Sequence, residues 1–163
     1  MSSHSHRGGI LSRGMHAPGF ELKDLAGNRQ SLAQLLEKGP VLLALFKVSC
    51  PVCQLAFPFL ERMADNDALQ VVGISQDDVN PTKEFNKRFG ITLPMLLDEA
   101  REGYPVSNAF GISTVPSVFL VETDGTISHS FAGFSKPDFE EIGRRINVRP
   151  FLPNEYVPEF KAG

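Results

Sequence analysis

Cysteine is scarce in this chain, two residues in 163, Cys50 and Cys53. That excludes a disulfide framework of the kind that staples small secreted domains. It also argues against structural zinc, which takes about four ligands. The histidines, His4, His6, His16 and His129, stand at no finger-like spacing from the pair, so no metal is expected. A structural disulfide between such close neighbours would close too short a loop to stabilise much. Basic charge is lacking too. The formal net charge is −3, which gives no electrostatic reason to expect nucleic acid or an anionic membrane as partner. No apolar run approaches the ~20 residues of a membrane-spanning helix. The first twenty residues hold no apolar stretch of an export signal. Two cysteines and no such signal suit a reducing compartment, so a cytoplasmic protein is expected, with a catalytic rather than structural pair. No cofactor is expected.

What the chain does have is ordinary globular composition, 42% hydrophobic and 21% charged, in a length that makes one domain with a full core. Its organising stretch is the apolar run Val41–Val48, which is too continuous to be half-solvated and reads as a strand buried on both faces. The run leads through Ser49 into Cys50-Pro51-Val52-Cys53, after which a helical pattern begins. A Cys-x-x-Cys where a strand hands over to a helix reads as a redox motif. Pro51 suits the first helical position and holds Cys50 out of the α region. Cys50 is therefore the expected N-cap, its sulfur facing the free amides of the first turn, which favour an anion and should let this thiol ionise more readily than a free one. Cys53 falls one turn later on the same face. Cys50 is thus the expected attacking thiolate and Cys53 the resolving thiol.

Along the chain, residues 1–14 read as a disordered lead of Ser, His, Gly and Arg. A hairpin around the Ala26-Gly27-Asn28 turn follows, with Phe20 and Leu22 inward, and then a short helix capped by Ser31. The helix after Cys50 is expected to reach about Asp65, with a kink at Pro58. Leu69–Ser75 reads as a second buried strand. A helix through Phe89 ends at Gly90, and Leu93–Leu97 is a short strand or extended linker. A short helix spans Tyr104–Phe110. Strands at Ser117–Val121 and Ile127–Ala132 are joined by Thr123-Asp124-Gly125, and a last helix opens at Ser135 and runs to Ile146. Long crossovers imply parallel pairing in the first half and the tight turn antiparallel pairing in the second. The expected architecture is α/β, a mixed central sheet flanked by helices on both faces, with an N-terminal β-hairpin extension, over residues 15–147. Residues 148–163 form an extended tail alternating proline with aromatics, packed on its own domain or on a second subunit, so a homodimer is possible.

Several of these pieces together resemble the thioredoxin superfamily, and within it the TlpA-like and AhpC/TSA (redoxin) thiol–disulfide oxidoreductases. They are Ala17-Pro18 with Phe20, the strand into Cys50-Pro51-Val52-Cys53, Pro58, the segment Gly111 to Leu120 containing Val115-Pro116, and Gly133 to Lys136. The resemblance implies a thioredoxin-like fold and a cis Val115-Pro116 bond facing the cysteines, with an open backbone edge at Val115 for a substrate peptide; Gly133 belongs to its supporting set. An ordinary trans proline at the start of an edge strand would also suit the residues themselves. The chain departs from the family pattern where Ser49 stands before the first cysteine in place of tryptophan, which the chain lacks. Ala44 and Ala56 occupy the two places where relatives carry an acid. Lys47 either steadies the Cys50 thiolate or is a strand-end lysine reaching for water.

The function implied is thiol–disulfide exchange with protein or small thiols and disulfides, using an unspecified electron donor. Two other readings stay open. A peroxiredoxin-like peroxidase shares the Ala-Pro-x-Phe opening, but Lys47 and Leu43 replace the threonine and proline that family places before its cysteine. A non-catalytic adaptor is suggested by the tail.

Overall fold

The computed structural model describes residues 9–65 and 67–163; His4, His6 and the rest of the lead before Gly9 lie outside the described residues. The chain opens with a hairpin, β1 (Glu21–Asp24) and β2 (Arg29–Ser31), and helix α1 (Leu32–Leu36). Then come β3 (Val41–Phe46), α2 (Pro51–Met63), β4 (Gln70–Ser75), α3 (Val79–Phe89) and β5 (Met95–Leu97). After α4 (Pro105–Ala109) follow β6 (Ser117–Val121), β7 (Ile127–Ala132), β8 (Phe134–Ser135), α5 (Lys136–Ile146) and β9 (Phe160–Lys161).

Seven strands form one mixed sheet in the order β2-β1-β5-β4-β3-β6-β7. β3 pairs parallel with β4 and antiparallel with β6, so it lies inside the sheet with both ladder edges satisfied. Its six side chains are all shielded from water, and their period of two divides the core. Leu42, Ala44 and Phe46 face a layer built from α2, α3 and α5, with Phe57, Leu60, Phe85, Phe139 and Ile142. Val41, Leu43 and Leu45 face the other layer, with Leu32 and Leu35 of α1 and Val106 and Phe110 beside α4. One continuous apolar strand therefore forms the middle of a three-layer α/β structure, as its pattern implies.

β3 stops at Phe46 rather than at Val48. The Val48 N–H leaves the ladder and donates to Asp77 Oδ2 at 2.8 Å, while the Lys47 carbonyl accepts from Cys50 N–H at 3.3 Å. That turn aims the chain into α2, which continues through Pro58 on its exposed side.

Residues 9–14, the described part of the lead, pack on the domain. Leu11 is buried at 3% exposure, its amide donates to the Phe110 carbonyl at 3.0 Å, and the Gly14 amide donates to Ile127 O at 2.8 Å. One leucine finding an apolar slot outweighs the polar average of its neighbours. Phe20 is only half-buried, its ring edge-on to Phe110, whereas Leu22 is buried.

The tail folds back on its own chain. Phe151 stacks on Phe139 and meets the Phe59 ring at 4.9 Å. Arg62 of α2 forks onto Glu155 at 2.8 and 2.9 Å and also donates to Pro150 O. β9 then pairs antiparallel with β8. Leu152, Tyr156 and Phe160 remain exposed, Tyr156 at 98%.

Candidate active site

Cys50 caps α2. Its backbone is extended (φ −80°, ψ 117°), Pro51 follows in the first turn, and the Cys53 N–H donates to Cys50 Sγ at 3.2 Å. An amide at a helix start pointing at sulfur is the arrangement that favours an anion there. Both cysteines are free thiols; Cys50 is half-buried and Cys53 is fully buried. Burial pushes the Cys53 thiol well above its ordinary value. The hydrogen bond with Cys50 and the charges of Cys50 and Asp77 push the same way, opposed by a hydrogen bond from the Lys47 backbone. The two cysteines therefore differ in burial, Cys50 half-exposed and Cys53 closed off.

The β6 side of the site arrives through the loop before Ser117. The Val115-Pro116 peptide is cis, and the Val115 carbonyl accepts from Cys50 Sγ at 3.5 Å. Gly133, at φ +79°, donates its amide to Pro116 O at 2.8 Å. A positive φ of this kind is one that glycine adopts without steric cost. The fold thus brings together Cys50, Pro51, Cys53, Val115, Pro116 and Gly133. Lys47 is exposed and meets Cys50 through its carbonyl. It also lines, with Gln76, Tyr104, Ser107, Asn108 and Val115, a cavity of about 270 Å³. Beneath the pair, Phe46, Phe57 and Phe85 form an aromatic floor with centroids 4.2–5.5 Å apart.

Asp77 is the site residue that sequence reasoning misses. Ala44 and Ala56 leave the two familiar acid positions empty of charge, yet Asp77, at the carboxyl end of β4, bears electrostatically on Cys53. A signal existed: β3 and β4 run parallel with Phe46 opposite Ser75, so the residues just beyond both strands meet where α/β sheets gather ligands.

Elsewhere, His129, Asp138 and Glu141 bring ligand atoms within 4.8 Å of one another. His129 Nε2 lies 2.7 Å from Asp138 Oδ1, and the Arg13 guanidinium stands 3.3 Å from Glu141 and 3.5 Å from His129. The cluster thus carries its own cation.

A mixed sheet, a dithiol opening a helix and a proline loop facing it define a thioredoxin-fold dithiol protein. The family model described as the AhpC/TSA family matches residues 14–130, and the chain belongs to that family. It is 30% identical over 132 residues to the thiol-disulfide oxidoreductase ResA of Geobacillus kaustophilus (strain HTA426), covering 78% of this chain and 74% of that protein. It is 29% identical over 133 residues to ResA of Geobacillus thermodenitrificans (strain NG80-2), with 78% and 74% covered. Among solved structures, the thioredoxin domain of a thiol-disulfide oxidoreductase from Bacteroides vulgatus superposes with a TM-score of 0.73 at 22% identity, covering 84% of this chain and 99% of that one. Peroxidoxin BcpB from Mycobacterium tuberculosis gives 0.70 at 24%, with 83% and 96% covered. At that identity the two structures show the shared fold. Among the described residues no helix is long and apolar enough to cross a membrane.

Proposed function

We propose that the protein is a thiol–disulfide oxidoreductase in which Cys50 attacks and Cys53 resolves. The observation that carries this is the Cys53 amide on the Cys50 sulfur at 3.2 Å, with Cys53 itself fully buried behind it. In the reducing direction, the Cys50 thiolate attacks one sulfur of a substrate disulfide. That S–S bond breaks, and the departing substrate thiolate takes up a proton. Cys53 then loses its proton and attacks Cys50 Sγ in the mixed disulfide, releasing the second substrate thiol. The substrate has gained two electrons and two protons, and the protein holds a Cys50–Cys53 disulfide that an external dithiol must reduce.

Val115 supports substrate placement: its carbonyl already lies within reach of Cys50 Sγ, and an extended peptide pairing there would bring a cystine sulfur over Cys50. Pro116 and Gly133 shape that edge, and Lys47 adds a positive charge at the rim of the adjoining cavity. A reducing compartment, the cytosol, suits a pair that must be returned to thiols between turnovers. A second copy of the chain would dock on the exposed Leu152, Tyr156 and Phe160, and light scattering of the full chain reads that out.

The peroxidase reading has less support. Leu43, where that chemistry wants a proline near the peroxide, is shut inside the sheet, and Lys47 supplies no hydroxyl.

Cys50→Ser abolishes insulin disulfide reduction, and Cys53→Ser accumulates a covalent adduct with substrate on non-reducing gels. Full multiple-turnover activity of Cys53→Ser with a dithiol reductant overturns the assigned roles. An adaptor would keep its partners after losing both cysteines.

A further inference from the structure

The tail ends against the backbone that the proposed mechanism needs. β9 pairs with β8 in the register Phe134–Lys161 and Ser135–Phe160, and the Lys136 amide donates to Glu159 O at 3.0 Å. Hydrogen-bonded pairs alternate along an antiparallel ladder, so Phe134–Lys161 is again of that type. Beyond it the tail closes on the site. A β-carbon on Gly133 would stand 2.4 Å from Lys161 O, and one on Gly163 would stand 2.0 Å from Val115 O and 2.7 Å from its carbonyl carbon. Two glycines allow two backbones to touch where side chains would hold them apart. The Val115 carbonyl so covered is the one that accepts from Cys50 Sγ.

We propose that residues 159–163 occupy the peptide-docking edge of this protein, and that the seated tail screens out disulfides in extended polypeptide while leaving Cys50 open to small disulfides. The inference rests on the reading of Val115 as the substrate edge. An arriving strand would need the Gly133–Ser135 and Val115 backbones that β9 and Gly163 already hold, and one sheet edge admits one strand at a time. Cys50 is only half-buried with the tail in place, and a reagent that needs no strand pairing does not compete with β9 for the ladder. The tail is well fastened further back, by Phe151 in the aromatic layer and by Glu155 on Arg62. That tether keeps its last residues at high effective concentration over the groove. Residues 159–163 are themselves exposed, so they can be displaced without opening the core. The tail thus acts as an internal competitor that sets substrate class.

The test uses the full chain with two substitutions outside the dithiol site. Gly163→Val puts side-chain atoms into the Val115 carbonyl, and Lys161→Pro deletes the amide of the Phe134–Lys161 pair. Each protein is assayed with insulin, as a polypeptide disulfide, and with dithiobis(nitrobenzoate), as a small one. A groove open only about a tenth of the time scales apparent affinity down by that open fraction, so the insulin to small-disulfide ratio of kcat/KM should rise about tenfold in both variants. The small-disulfide rate itself should stay where it was. A ratio that both variants leave unchanged overturns the inference and leaves the exchange reaction standing. If parent and variants reduce neither substrate, the exchange function falls and the inference with it, so the two failures are distinguishable.

Discussion

Cys53 holds its proton harder than any ordinary cysteine, first because it is buried and then because of what surrounds it. Asp77 is one of those surroundings, and its charge can be removed without removing its hydrogen bond. In Asp77→Asn an amide oxygen still accepts from Val48 N–H, but the negative charge that disfavours the Cys53 thiolate is gone. The sign follows: the Cys53 pKa falls, and the resolving step reaches half its limiting rate at lower pH. Single-turnover decay of the mixed disulfide across pH measures this, and a shift to higher pH would mean that Asp77 takes the proton itself. At this scale the sequence was informative where chemistry is local. Cys50, Pro51 and Cys53 sit within four consecutive positions, and cap geometry follows from neighbours alone. Asp77 was not legible in that way, because its place beside the cysteines depends on how β3 and β4 are registered, a relation between residues far apart in the chain.

Elements with their own punctuation were readable in the same manner. Ser31 makes the reciprocal cap with Gln34 that opens α1, Gly90 closes α3 in the left-handed region, and Ser135 caps α5 by accepting from the Asp138 amide. β8 and β9 carry no such signal: two residues each cannot show a period. What betrays them is Gly133, whose φ of +79° and close approach to Lys161 O both exclude a β-carbon. Gly133→Ala should destabilise the fold by about 1–2 kcal/mol, the usual cost of an L-residue in the left-handed region. A urea denaturation midpoint lowered by that free energy divided by the slope, with the slope itself unchanged, is the expected result; an unchanged midpoint would mean that the loop and tail yield freely. The stop of β3 at Phe46 belongs here as well, since no residue type marks the point where Asp77 captures the Val48 amide.

For the molecule as a whole, connection lengths carried most of the topology. Crossovers containing α2 and α3 demand parallel neighbours, and the Asp124-Gly125 turn demands an antiparallel one; the sheet has both. Composition could not say where 148–163 would pack, because that depends on Arg62, a residue of α2 nearly ninety positions earlier. The fastening gives the protein an acid-sensitive point. The hydrogen bond from Arg62, aided by the Leu152 amide, lowers the Glu155 carboxyl from 4.5 to about 2. A depressed folded-state value adds stability above the unfolded value and loses it as pH falls through the folded one. The Glu155 contribution is therefore complete above about pH 5 and fades between 4.5 and 2. Glu155→Gln should narrow the gap between urea midpoints at pH 7 and pH 3 relative to the parent protein, and an identical gap would show that the pair does not hold the tail.

Tyr156, standing 98% in solvent on that tail, has a practical consequence. The chain has no tryptophan and one other tyrosine, the half-buried Tyr104, so no indole emission masks the phenol signal. Iodide quenching and fluorescence anisotropy of unlabelled protein can therefore follow Tyr156 directly, and its tumbling should quicken when the strap lets go.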